Sequence, residues 1–464
     1  MVSGSPVPPK WLVIIPNGGA SWYFWCIDFI SDAIKNGDSI VVLDLREYSV
    51  RRNKLIFFKR FVTVLYRTNR VSDLVTNLSK LEKVIYLKPK DINWSQLRTI
   101  EYDKLNPESY RNGLDSEYFE ELGARVLEDS QLDSTVLFTA KNVFNQVSAI
   151  TQSVIELENI TKVVVPGGRT LIPSACLSSA QNLGINCSIL ESAPAGDFGY
   201  SEYPSNFRSH FGLIQLEINR IWEKGDNSKF EIAELYLNNK LGRDFSKTFE
   251  LNLVLDNLTT DNSVAVFPTS GFEFKSFGPT NSGEYGRNHQ REMVKVFCQV
   301  AKENGFKVIL RAHPPILGHE ELSAMDDEEW APFCFENKIM YLAPNSGVNS
   351  YELMKRTKLN AVYVSTAGID SLILGCDTLI LGNAEFAHLV PELCAFDIEA
   401  IRRRFDCINL KTEITKIYPY AFYSATLGKE ISHASITSEG TILYEGKLVD
   451  APRFRLFSWL RKRI

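Results

Sequence analysis

The stretch KVILRAHPP, residues Lys307 to Pro315, decides how this chain is read. It begins as a strand, with an aliphatic run in the pattern of a buried sheet. It then runs straight into an arginine, a histidine and two prolines. A buried strand ordinarily ends in Gly, Asn or Asp turn chemistry. Here Pro314 forbids the ladder to continue, because proline has no N–H to donate. The two-residue period of a strand puts Arg311 and His313 on one face. A basic pair held rigid at a strand's exit is the arrangement of groups presented to a ligand.

Outward from that stretch, short β-branched runs alternate with helical patterns over most of the 464 residues, the signature of parallel α/β sheets. In the first half the predicted strands are 11–16, 39–45, 83–88, 162–167 and 187–192. In the second half they are 263–269, 307–313, 339–344, 361–366 and 377–382. The stretch SWYFWCIDFISDAIKNG reads as a helix capped by Gly37. Between the two sets, 207–243 reads as helical and polar-rich with a break at WEKGDNSK. The expected organisation is an N-terminal unit over 1–206, a helical linker over 207–260, a second α/β unit over 261–410, and an extension over 411–464 with one hairpin at TILYEGKLVD. A chain of this length exceeds a single core and suits two or three domains.

Composition narrows the function classes. Hydrophobic residues at 44% and charged residues at 23% are those of an ordinary globular protein, and a net charge of −5 argues against general nucleic-acid binding. Eight cysteines are scattered without a C-x-x-C pair, which predicts buried thiols in a reducing compartment and neither a zinc site nor a disulfide framework. Neither a secretory leader nor a membrane-length apolar run is legible, so a cytoplasmic location is expected.

In open α/β sheets, ligands bind beyond the carboxyl ends of the strands, so those positions matter most. PNGGASW follows the first strand. Its Gly18 and Gly19 either admit an anion to a helix start or simply make a tight turn, and the spacing is not G-x-G-x-x-G. Arg169 follows the fourth strand and Glu191 lies at the fifth, where each faces a ligand or the two pair with each other. In the second half the exits carry Thr269, Ser270 and Glu273, then His313, then Ser365 and Thr366 leading through Gly368 to Asp370. Hydroxyls, a glycine and a helix start suit a phosphate. Metal-ligand spacing is missing.

Gly168-Arg169, Glu191, the Ser270-to-Glu273 turn, Arg311-Ala312-His313-Pro314 and STAGIDSLILG occur in the order seen in a known family. Over about 160–390 the chain resembles bacterial glycosyltransferases of capsule and surface-polysaccharide synthesis with the GT-B fold, two Rossmann-like parallel-sheet domains facing across a cleft. The Arg-x-His-Pro strand end, followed some fifty residues later by the Ser-Thr turn, carries most of the resemblance. Similar histidine-proline motifs occur in sialyl- and Kdo-transferases and in teichoic-acid-type transferases. The resemblance implies a nucleotide-sugar donor, CMP- or CDP-linked by preference with UDP open, and a glycan or lipid-linked acceptor. It implies that His313 contacts the donor phosphate and stabilises the leaving group, with Ser270, Glu273, Arg311, Ser365, Thr366, Gly368 and Asp370 on the donor side. Relatives often carry Glu where this chain has Asp370. Gly18, Gly19 and Arg169 fall to the acceptor side. Glu191 is the expected base of an inverting displacement, with Asp115 or Glu117 as second choice, since the paired-acid motif of some sialyltransferases has no clear counterpart beyond GLDSEYFEELG. No cofactor and no metal are expected. A sugar-nucleotide epimerase and a non-catalytic nucleotide-sugar-binding protein stand as alternatives.

Two acid-free segments are rich in basic and aromatic residues. Residues 51–70 hold seven Lys/Arg, and 451–464 hold five together with Phe454, Phe457 and Trp459. Either segment packs as an amphipathic helix or docks on an anionic membrane; for the terminal one, peripheral attachment to the inner face of the cytoplasmic membrane is the expectation.

Overall fold

Each set of apolar runs builds its own parallel sheet. The computed structural model describes residues 8–16, 20–48, 84–92, 134–168, 170–193, 199–204, 211–244, 262–270, 287–314, 320–408, 410, 412–432, 434–436, 442–444 and 447–448. In chain order the first elements are β1 (Lys10–Ile15), α1 (Ala20–Lys35), β2 (Ser39–Asp44), β3 (Val84–Leu87), α2 (Ser134–Leu157), β4 (Lys162–Pro166), α3 (Leu171–Asn182), β5 (Asn186–Ser192) and β6 (Gly199–Pro204). Next come α4 (Phe211–Lys224), α5 (Lys229–Asp244), β7 (Ser263–Phe267), α6 (Arg287–Glu303), β8 (Lys307–Arg311), α7 (Glu320–Glu336), β9 (Met340–Leu342), α8 (Ser350–Lys355), β10 (Leu359–Val362), α9 (Ala367–Ile373) and β11 (Thr378–Ile380). The chain closes with α10 (Ile398–Asp406), α11 (Tyr418–Thr426), β12 (Lys429–Glu430), β13 (Ala434–Ile436), β14 (Ile442–Tyr444) and β15 (Lys447–Leu448).

These elements form two compact units. One holds the described residues up to Pro204 together with the tail from Gly428; the other holds those from Phe211 to Leu427. The first unit's sheet runs β12-β6-β5-β4-β1-β2-β3, with β1 to β5 parallel and β6 and β12 antiparallel at one edge. The second unit's sheet runs β11-β10-β7-β8-β9 and is parallel throughout. Numbered from its own first strand, each parallel set has the doubly wound order 3-2-1-4-5. The order therefore reverses between β1 and β4 in one unit and between β7 and β10 in the other.

Burial on both faces explains the continuous aliphatic runs. Val13, Val42, Val164 and Leu190 pack against Tyr23, Phe24, Ile27 and Ile30 of α1. In the second unit Val264, Val266, Val308 and Leu310 pack against Val294, Phe297 and Ala301 of α6, Trp330 of α7 and Phe405 of α10. Gly37 ends α1 at φ +88°, and its N–H and that of Asp38 close the last turn onto Ile34 and Ala33.

All ten predicted strands are present, and the hairpin at TILYEGKLVD is β14 paired with β15. Differences arise where tertiary pairing sets the limits. The edge strands β6 and β12 carry no aliphatic run and are held by antiparallel partners. The predicted ends of β7, β8 and β10 retreat, so Thr269, His313, Ser365 and Thr366 lie beyond the ladder. The helical stretch read as a linker packs within the second unit, where α4 and α5 lie against α11. All eight cysteines are free thiols. Among the described residues no helix is long and apolar enough to cross a membrane.

Candidate functional site

Three neighbouring strands of the second sheet deliver the site. β7 releases the chain at Pro268, β8 at Ala312 and β10 at Tyr363, so their exits line one edge beside the β7/β10 reversal. Cross-ties hold them together. Thr269 donates its N–H to Oε1 of Gln290 and accepts at its carbonyl from Nε2, both at 2.9 Å, and its hydroxyl oxygen accepts from Val364 N–H at 3.2 Å. On the other side, Nδ1 of His289 meets the Tyr363 hydroxyl at 2.7 Å.

These exits enclose a cavity of about 290 Å³, lined by Phe267, Pro268, Arg311, His313, Pro314, Asn349, Tyr351, Met354, Ser365, Thr366 and Asp370, among others. Five residues singled out from sequence therefore meet in one place: Arg311, His313, Ser365, Thr366 and Asp370. Ser270 and Gly368 do not line it. Ser270 is buried behind the β7 exit. Gly368 is buried in α9, where a Cβ would meet Phe386 at 2.8 Å and Val362 at 3.0 Å, so close packing is what its missing side chain permits. Glu191 belongs to the first unit, within β5 rather than beyond it, buried and paired in register with Ser201 of β6. Gly18, Gly19, Asp115, Glu117, Arg169 and Glu273 lie outside the described residues, as do 51–70 and 451–464.

Arg311 is 3% exposed and faces the cavity wall. Its Nη1 donates to the Ala343 carbonyl at 2.5 Å, with longer contacts of 3.4–3.5 Å from Nη1 or Nη2 to the carbonyls of Leu342, Pro344 and Val348. The guanidinium thus fastens the loop after β9 to the end of β8. Its Nε has no hydrogen-bond partner. Burial pulls its pKa down to about 10, which still leaves the cation in place at neutral pH.

His313 is half-buried, with Nδ1 2.7 Å from the Pro314 carbonyl. A carbonyl only accepts, so Nδ1 carries the proton and Nε2 is the nitrogen left for a ligand. Neutral imidazole then offers an acceptor at Nε2, and only imidazolium offers a donor to an anion. Opposite, the Ser365 hydroxyl accepts from Ala367 N–H at 3.2 Å in the first turn of α9, keeping its own proton to donate, and Thr366 is exposed. Asp370 is paired with Lys240 of α5, Nζ to Oδ1 at 2.5 Å. Cation, hydroxyl donors and a neutralised acid make a wall suited to a phosphate group.

Sequence reasoning missed Asn349, Tyr351 and Lys240. Asn349 caps α8 by accepting from Tyr351 N–H at 2.8 Å, and the N-S-Y-E run carried the signal for that cap. A second missed group stands at the carboxyl ends of β2 and β3. Asp44 accepts from Arg46 Nε at 2.8 Å and Nη2 at 2.7 Å, and from the Tyr86 hydroxyl. Burial alone would raise the Asp44 pKa, but the Arg46 and Tyr86 hydrogen bonds prevail and hold it below the ordinary carboxylate value. A carboxylate so engaged is a poor proton acceptor.

No protein-family model and no curated protein sequence matches the chain. Solved structures do resemble it in shape. A β-Kdo 2,4-transferase, KpsC of Thermosulfurimonas dismutans, is 13% identical over 65% of this chain and 88% of its own, with a TM-score of 0.42. A glycosyltransferase from Rickettsia africae is 10% identical over 90% and 95%, at 0.32. A Methanocaldococcus jannaschii UDP-GlcNAc 2-epimerase in complex with UDP-GlcNAc and UDP is 11% identical over 90% and 97%, at 0.30. Each is a resemblance of fold.

Proposed function

We propose that the protein is a glycosyltransferase of GT-B type that holds the phosphate of a nucleotide-activated sugar in the Arg311–His313 cavity. The observation that carries this reading is the convergence of Arg311, His313, Ser365 and Thr366 on one cavity at the strand-order reversal of a parallel sheet, where such sheets bind ligands. In the proposed displacement the acceptor hydroxyl attacks the anomeric carbon, the bond to the donor phosphate breaks, and the leaving phosphate takes up the electron pair. His313 and the Ser365 and Thr366 hydroxyls stabilise that charge, together with the buried Arg311 cation. Glu191 is the proposed acceptor of the hydroxyl proton. The donor is proposed to be CMP- or CDP-linked, UDP remaining open, and the acceptor a surface glycan or its lipid-linked precursor. A membrane role for 451–464 is proposed with it; equal liposome flotation of the full chain and one ending at Asp450 overturns that part.

Calorimetric titration with CMP, CDP, UDP and GDP tests the cavity, followed by donor-consumption assays with and without glycan acceptors. The expected result is binding of one nucleotide class, lost about tenfold or more in His313→Ala. Equal affinity of wild type and His313→Ala overturns the assignment. Conversion of the nucleotide sugar to an isomer without acceptor supports epimerase chemistry instead.

A further inference from the structure

We propose that Lys240 is a positioning residue of this anion site: its ammonium cancels the charge of Asp370, so that a phosphate can occupy a cavity with a carboxylate in its wall. This rests on the reading of the cavity as a phosphate site. Asp370 is the one acidic side chain among the described residues lining it. It is 9% exposed, and the Lys240 side chain reaching it from α5 is 20% exposed, so solvent screens neither well. The buried Tyr420 phenol is pushed well up, first by burial and then by nearby charges, of which Glu385 outweighs Asp370. For a carboxylate so buried, the Lys240 ammonium at 2.5 Å is a compensating charge.

The size of the cavity sets the size of the effect. A sphere of about 290 Å³ is some 8 Å across, which sets the scale of the distance between Asp370 and an anion held in the cavity. Two unit negative charges at roughly 8 Å and an effective dielectric of about 20 repel enough to lower an association constant roughly ten- to thirtyfold. Lys240 comes from a helix that precedes the sheet by sequence, and α5 packs on α9 within the same unit. The helical layer thus belongs to the electrostatics of the cavity.

The test titrates CMP and CDP into wild type, Lys240→Met, Lys240→Arg and the Lys240→Met/Asp370→Asn double variant, with folding checked by circular dichroism. Lys240→Met is expected to weaken binding about tenfold or more, Lys240→Arg to stay within about threefold of wild type, and the double variant to recover to within about threefold. A merely structural lysine predicts equal impairment of Lys240→Met and the double variant, and that result overturns the proposal. Wild-type binding left intact by Lys240→Met overturns it alone, whereas no binding by wild type overturns the cavity reading beneath it. Should Lys240→Met fail to fold, the double variant, which buries no uncompensated charge, and the arginine variant decide.

Discussion

Exchanging Arg311 for lysine should harm the fold more than exchanging it for methionine, against the usual expectation that keeping a charge is the gentler change. Two large terms oppose one another at this residue. Lowering of the pKa to about 10 by burial corresponds to about 3 kcal/mol against the charged form. Against this stand the short charge-assisted bond to Ala343 and the longer contacts to the loop, together about 2–4 kcal/mol. Arg311→Met removes both terms, so global stability should change by no more than about 1 kcal/mol. Arg311→Lys keeps the buried cation but loses the planar fork that spans Ala343 and Val348, and should cost about 2–3 kcal/mol. Urea denaturation measures the global term. Amide hydrogen exchange over 343–348 measures the local one and should accelerate in both variants, because each lets go of the loop. A lysine variant at least as stable as the methionine variant, or a loop whose exchange does not change, refutes the reasoning.

Glu191→Gln should lower turnover by about 10²-fold or more if Glu191 accepts the hydroxyl proton; turnover within a few-fold of wild type removes it from that role. Gly368→Ala gains helix propensity of up to about 1 kcal/mol but must push into Phe386 and Val362, so a net loss of about 1–2 kcal/mol in chemical denaturation is expected; a stabilised variant contradicts the packing described. Asp44→Asn leaves the largely buried Arg46 without its acid and should cost about 3 kcal/mol near neutral pH. Because the folded Asp44 pKa lies below the unfolded one, its contribution is complete above the unfolded value and is lost as pH falls through the folded value. The gap between wild type and Asp44→Asn in denaturation midpoint should therefore narrow below about pH 4, and a constant gap contradicts the ion pairing.

Local chemistry made the strands legible. Val264–Val266, Val308–Leu310 and Ala361–Val362 are aliphatic because both faces are covered, and such runs survive in any context. His313, Ser365 and Thr366 were legible because strand-end chemistry sits next to the runs that present it. Edge strands were not: Gly199–Pro204 and Lys429–Glu430 take their conformation from a neighbour's backbone, which leaves little mark on their own side chains. Nor was the burial of Glu191 legible, although the predicted strand 187–192 contains it, since that burial depends on β6 lying beside it.

By itself the sequence determined the α/β class, the two strand sets and the basic, hydroxyl-rich character of three strand exits, because each rests on neighbours within a few residues. Tertiary structure decided that these exits belong to adjacent strands in the order β10-β7-β8, and hence that they share one cavity. It also divided the work of Arg311 between cavity wall and loop anchor, and brought Lys240 to Asp370 across 130 residues of chain. Strand order and long-range ion pairs arise from where helices cross a sheet, and no local pattern of residues encodes that.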